Sequence, residues 1–157
     1  MAGFVRATQV QVWRLCAALS DLDSADDLAQ ETYLRAFRAL PGFQGRSSAR
    51  TWLLGIARRV CADHVRGRVR RRRLDERLTV QAATGGANPD ATTDLAMRDL
   101  LDRLPAERRS AFVLTQVVGL TYAEAAVVDN VAVGTIRSRV ARAREELSSA
   151  WRHAALA

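Results

Sequence analysis

The stretch from Thr121 to Leu147 constrains the fold more than any other part of the chain. Ile136, Val140, Ala143 and Leu147 fall at i, i+4, i+7 and i+11. That spacing makes one apolar stripe on an α-helix and breaks the two-residue period of a strand. Gly134, Ser138, Ala141, Arg142 and Glu145 fall on the far side, with Arg137 and Arg139 flanking. Upstream, Thr121-Tyr122-Ala123-Glu124 has the pattern of a capping box, in which Thr caps and Glu reaches back from the third position. A short helix through Val128 is expected. Asp129-Asn130 then supplies a turn, because asparagine tolerates the left-handed conformation, and a second helix runs from Val133 to about Ser149. A solvated amphipathic helix would show the same stripe. The short capped helix, the tight turn and the small-residue and arginine lining together favour a helix-turn-helix, whose second helix sits in a major groove.

The other segments are also helical. Aromatics are few and alanines many, which favours helix over sheet. Residues 4–19 form a first helix. A second is expected from Ser24, read as its N-cap, to Leu40, where Pro41-Gly42 stops it. On it Ala29, Tyr33, Ala36, Phe37 and Leu40 share one face, read as the buried one, and Asp27, Glu31 and Arg38 share the opposite face. After a short polar loop, a third helix covers about 49–71, apolar early and basic late. Thr84-Gly85-Gly86-Ala87-Asn88-Pro89 has no period and several breakers. The expected organisation is therefore all-α, with two small helical domains (1–73 and 94–157) joined by a flexible linker (74–93), the second domain being the helix-turn-helix. In that second domain a helix near 94–102 precedes a strongly apolar one carrying Ala111, Phe112, Val113, Leu114, Val117 and Val118, which Gly119 ends.

Charge is concentrated. The chain carries a net +7, and all 24 basic residues are arginine. Residues 58–73 hold eight arginines against one acid, Asp63, so this run alone accounts for the whole net charge. A charge run is often only a solvated segment, and GC-rich coding would give the same preference for arginine. Here the run continues a helix bearing Trp52 and follows a loop with Phe43, and aromatics beside cations are what unpaired bases stack on. Nucleic acid is the expected partner.

Several classes are excluded. Cys16 and Cys61 lie far apart in sequence and form no disulfide framework, and Cys61 with His64 lacks a second ligand pair, so no metal and no cofactor is expected. No stretch approaches the roughly 18 apolar residues of a membrane span and no signal peptide opens the chain, so a reduced cytoplasmic setting without membrane contact is expected. His64 and His153 have no nucleophile or base beside them in sequence, which argues against an enzyme. A free-standing operator-binding regulator would need a dimerising or ligand-sensing half. The basic helix and aromatic loop are neither.

DDLAQETYLRAFRAL (26–40), FQGRSSARTWLLGIARRVCADHVRGR (43–68) and LPAERRSAFVLTQVVGLTYAEAAVVDNVAVGTIRSRVARAREEL (104–147) resemble, in order and spacing, the extracytoplasmic-function class of RNA polymerase sigma factors, with wording like that of actinobacterial members. The resemblance implies a non-enzymatic initiation factor whose partners are core RNA polymerase, through the β′ clamp helices and the β flap, promoter DNA and an anti-sigma factor. It implies that Asp27, Gln30, Glu31, Leu34 and Arg35 face the clamp helices. Phe43, Gln44, Arg46, Ser47 and Ser48, with Trp52 and Arg59 on the adjoining helix, would capture a flipped base of the −10 element. Arg66, Arg70, Arg71, Arg72 and Arg73 would lie along the DNA backbone, and Thr135, Arg137, Ser138, Arg139, Ala141 and Arg142 would read the −35 element. The turn Asp129-Asn130-Val131-Ala132 departs from the Leu-Gly-Ile-Pro common in the family, and Arg59 stands where asparagine is frequent.

Overall fold

The structure, a computed structural model, describes residues 2–78 and 92–155. Among the described residues seven α-helices follow in order: α1 (Ala2–Leu19), α2 (Leu22–Ala39), α3 (Ala49–Leu78), α4 (Thr92–Arg103), α5 (Ala106–Phe112), α6 (Tyr122–Asp129) and α7 (Val133–Ala155). A 3-10 turn, Leu40–Gly42, follows α2, and a π-helical segment, Val113–Val117, continues α5. There is no strand among the described residues, as the period of the sequence requires.

The first three helices pack mutually around Val12, Leu15, Cys16, Ala25, Leu28, Leu53, Leu54, Ala57 and Val60. Two boundaries differ from expectation. The cap of α2 is Asp21, whose carboxylate accepts from the Ser24 backbone N–H at 2.8 Å, so the helix starts two residues before Ser24. The buried face of α2 is Ala25, Leu28, Thr32 and Ala36, rotated from the expected stripe; Ala29 and Tyr33 are only half-buried and Phe37 and Leu40 are exposed. Thr32 is hidden in this face because its hydroxyl donates to the Leu28 carbonyl at 2.7 Å, leaving no unsatisfied polar atom. Helix α3 continues to Leu78, past the expected end at 71, because arginine is a good helix former and no breaker intervenes. Of the linker expected at 74–93, residues 79–91 lie outside the described residues.

In the second half, α5 and α6 pack on α7, with Ala111, Val113, Leu114, Ala125, Ala126, Ile136 and Val140 buried. The two halves touch. One continuous apolar cluster joins α1 and α3 to the Val113–Val117 segment and α6. Across this junction Arg58 Nε donates to Asp129 Oδ1 at 2.9 Å, and within the second half Ser110 Oγ donates to the same oxygen at 2.7 Å. Arg50 bridges Gln11 (2.8 Å) and the Val118 carbonyl (3.3 Å), and Arg98 donates to the Ala17 carbonyl.

Candidate nucleic-acid interface

Helix α7 is oriented by the caps of α6. The Thr121 hydroxyl accepts from Glu124 N–H at 3.1 Å, while Glu124 Oε2 accepts from Thr121 N–H at 2.8 Å, completing the capping box at the start of α6. The hydrogen bond from the Thr121 backbone outweighs the small cost of burial and lowers the Glu124 pKa. Asn130 ends α6 at φ 54°, ψ 51°, in the left-handed region, where its N–H reaches back to the Val127 carbonyl at 3.3 Å. Chain direction then changes, and α7 begins three residues later.

On α7, Ile136, Val140 and Ala143 are buried and Leu147 packs partly beneath them. Gly134, Arg137, Ser138, Ala141 and Arg142 are exposed on the other side, and Thr135 is half-buried. Arg139 flanks this face without joining it: its guanidinium turns back toward Glu107 (3.4 Å) and Asp129 (3.9 Å). Small side chains between two extended guanidiniums form a surface that can approach base edges closely.

The first half carries a second polar surface at the start of α3. Ser48 caps that helix: its Oγ accepts from the Thr51 N–H at 3.1 Å and donates to Thr51 Oγ1 at 2.9 Å. Gly45, at φ 68°, bends the preceding loop. The Phe43 and Trp52 rings lie 4.9 Å apart at 47°. A pair this close is already in contact and leaves no room for a further ring between them. Gln44, Arg46 and Ser48 are exposed, Ser47 is half-buried, and Arg59 is exposed on α3 two turns beyond Trp52.

The basic run is unevenly neutralised. Arg58 is engaged with Asp129, Arg68 donates to Asp21, and Asp63 is held by Arg35 (2.9 Å) and Arg66 (2.6 Å). The hydrogen bond from Arg35, with Arg66 behind it, keeps the Asp63 carboxyl below its ordinary range. Arg59 and Arg70 to Arg73 point into solvent. On α2, Asp27, Gln30 and Leu34 are exposed, while Glu31 and Arg35 are half-buried and paired at 2.7 Å. Among the described residues no group of His, Cys, Asp or Glu is placed to hold a metal ion, and no helix is long and apolar enough to cross a membrane.

Three features escaped sequence reasoning. Met97, Leu100, Phe112, Leu147 and Trp151 line an apolar groove of about 460 Å³ on the second half, with Arg144 and Arg152 at its edge. Arg58 and Asp129 meet although they are 71 positions apart. Cys16 and Cys61, on different helices, are buried in the same apolar core. Of these, only the groove left a signal, the exposed Trp151 on the apolar side of α7.

Known families match both halves. Residues 4–71 match the Sigma-70 region 2 family model, and residues 94–147 match that of Sigma-70, region 4. The ECF RNA polymerase sigma factor SigC of Mycobacterium tuberculosis is 48% identical over 158 residues, which cover 94% of this chain and 80% of that protein. The chain belongs to the ECF sigma factors. A further relative, the ECF RNA polymerase sigma factor EcfG of Rhodopseudomonas palustris, is 39% identical over 81% of this chain and 71% of its own. Among solved structures, the sigma factor RpoE in its co-crystal with the anti-sigma factor NepR from Bartonella quintana superposes with a TM-score of 0.76 at 27% identity, covering 97% of this chain and 98% of that one. CnrH, solved in complex with the cytosolic domain of CnrY, gives the same TM-score at 25% identity, over 97% of this chain and 87% of that one. This sigma factor is thus a non-catalytic component that directs RNA polymerase to promoters, as its sequence implied.

Proposed function

We propose that this sigma factor reads a −35 element with α7 and a −10 element with the loop before α3, as a cytoplasmic subunit of the polymerase holoenzyme. The observation that carries the reading is the exposed face of α7, where Ser138 and Ala141 lie between Arg137 and Arg142, opposite the buried Ile136, Val140 and Ala143. Thr135 sits at the edge of that face, and Arg139 positions the helix through Glu107 and Asp129. Each good bidentate base contact is worth about 1–3 kcal/mol of discrimination.

In the first half, Phe43, Gln44, Arg46, Ser47 and Ser48 with Trp52 and Arg59 receive a flipped −10 base, favouring local melting. Unstacking costs a few kcal/mol, which a preformed aromatic and hydrogen-bonding site offsets. Arg66 and Arg70 to Arg73 follow the phosphate backbone, giving affinity without sequence choice. Helix α2 meets the β′ clamp helices through Asp27, Gln30, Glu31, Leu34 and Arg35, and the second half meets the β flap. The domains extend over 1–73 and 94–157, with the connecting segment between them. An anti-sigma factor is a further partner, supported by the complexes in which the similar RpoE and CnrH were solved.

The test is run-off transcription with purified core polymerase on a genomic promoter pool. Promoter-dependent transcripts above core alone are expected. Their absence, together with tight binding of the free protein to duplex operators, would replace this reading with that of an autonomous regulator.

A further inference from the structure

Where the two halves meet they form a cavity of about 280 Å³. The first half supplies Leu19 from α1 and Arg58, Cys61, Ala62, Val65 and Arg66 from α3. The second half supplies Ala106, Arg109 and Ser110 from α5. Five of these nine residues are apolar, three are arginines and none is a carboxylate. The groove at Trp151 is a different place, built from the second half alone.

The three guanidiniums keep donors in reserve. Arg58 commits Nε to Asp129 at 2.9 Å, and its two terminal nitrogens make no hydrogen bond among the described residues. Arg66 holds Asp63 at 2.6 Å through one terminal nitrogen. Arg109 anchors its terminal nitrogens on Asp102 and on the Leu104 carbonyl, while its Nε is buried with no hydrogen-bond partner. The neutralising carboxylates are also divided. Asp63 is shared with Arg35 at 2.9 Å, and Asp129 with Arg139 at 3.9 Å, both outside the cavity. Positive charge at the cavity therefore exceeds what its neighbours cancel, in a partly desolvated place where an anion is held more strongly than in bulk water.

We propose that this junction cavity binds a small amphiphilic carboxylate, an aliphatic or single-ring aromatic acid. Its carboxylate meets the arginines, which suit it geometrically, and its body lies against Leu19, Val65 and Ala106. Size selects the class. At about 30 Å³ per water the volume corresponds to roughly nine waters, or a ligand of roughly ten non-hydrogen atoms. A nucleotide is larger than that, and its phosphates would press on an apolar wall. Inorganic phosphate would satisfy the arginines and leave that wall wet. An amphiphile meets both demands. Because the walls come from both halves, a bound acid also stabilises their contact, by linkage. The site rests on the chemistry of this chain alone and stands whether or not the promoter reading holds.

The probe is octanoate, titrated into the full-length protein and followed by methyl NMR. Expected are saturable shifts of Leu19 and Val65 in the first half and of Ala106 in the second, with a Kd of about 0.1–1 mM for a ligand of this size. Octanol, of the same length without the charge, should bind about tenfold more weakly, and octylamine should not bind. Arg66→Gln, at an exposed position, should weaken octanoate about threefold, the effect of a partly exposed ion pair. Ala106→Trp, which fills the cavity from an exposed position, should abolish the shifts and keep the native melting temperature of the free protein. The wild-type titration needs no variant to fold. Four results would overturn the proposal: no saturable shift up to about 10 mM octanoate, octanol or octylamine binding as tightly as octanoate, unchanged affinity in Ala106→Trp, or shifts confined to Met97, Leu100 and Leu147 in the Trp151 groove.

Discussion

Replacing Asp129 with Asn tests whether the ion pair between the two halves holds them together. The Asp129 carboxylate is fully buried, whereas the Arg58 side chain keeps 31% of its exposure. Asp129 is also the last residue of α6, where the partial negative charge of the helix end opposes a carboxylate. Arg58 at 2.9 Å and Ser110 at 2.7 Å therefore offset both burial and dipole. Breaking a buried pair by deleting one partner costs about 3–5 kcal/mol. The partial exposure of Arg58 and the surviving Ser110 bond to the Asn carbonyl bring the expected loss for Asp129→Asn to about 2 kcal/mol. Arg58→Ala should cost about as much, because Arg139 stands off at 3.9 Å and compensates weakly. The double variant should lose less than the sum, with a coupling of about 1–2 kcal/mol, since neither charge is then left alone. Urea unfolding of the full chain by circular dichroism gives the cycle, and small-angle X-ray scattering should show a larger radius of gyration in either single variant. A coupling under about 0.3 kcal/mol, within the range of independent sites, would show that the pair does not link the halves.

Other outcomes follow from the same surfaces. Arg142→Ala should relax one −35 position at a cost of about 1–3 kcal/mol in promoter binding while leaving core association unchanged; loss of core binding instead would remove its assigned role. Glu31→Arg should weaken association with core polymerase in a pull-down yet keep the native melting temperature, because Arg35 retains Asp63 at 2.9 Å. Asn130→Val should destabilise by about 1–2 kcal/mol, since a β-branched residue is strained at φ 54°, whereas Asn130→Gly should be nearly neutral in the same thermal melt.

What the sequence disclosed depended on how local the physics was. The capping box at Thr121, the left-handed Asn130 and the stripe of α7 are interactions within a few residues, and each stands as expected. The buried face of α2 was misjudged because Phe37 and Leu40 are the larger apolar groups, yet the close approach of α1 and α3 selects the small Ala25, Thr32 and Ala36. Side-chain size carries no sign of how near a neighbouring helix will come. Asp129 was legible only as a turn residue; its partner lies 71 positions away, and no local pattern announces it. The same holds for Cys16 and Cys61, which share one core although nothing local in the sequence links them. The periodicity of α7 puts Arg139 only at the flank of the exposed face, and its contacts with Glu107 and Asp129 on other elements lie beyond what that local pattern shows.

Helix α3 has a mechanical side. Its 30 residues make a rod about 45 Å long at 1.5 Å per residue. The first part, through Cys61, packs against α1, α2 and α6, and the remainder carries the exposed Arg70 to Arg73. A rod held at one end is a lever. Tilting the clamped end by about 10° would carry the tip, about 25 Å away, through roughly 4 Å, more than the length of a hydrogen bond. Small adjustments where the two halves meet are thereby magnified into a change in which phosphates the far arginines can touch.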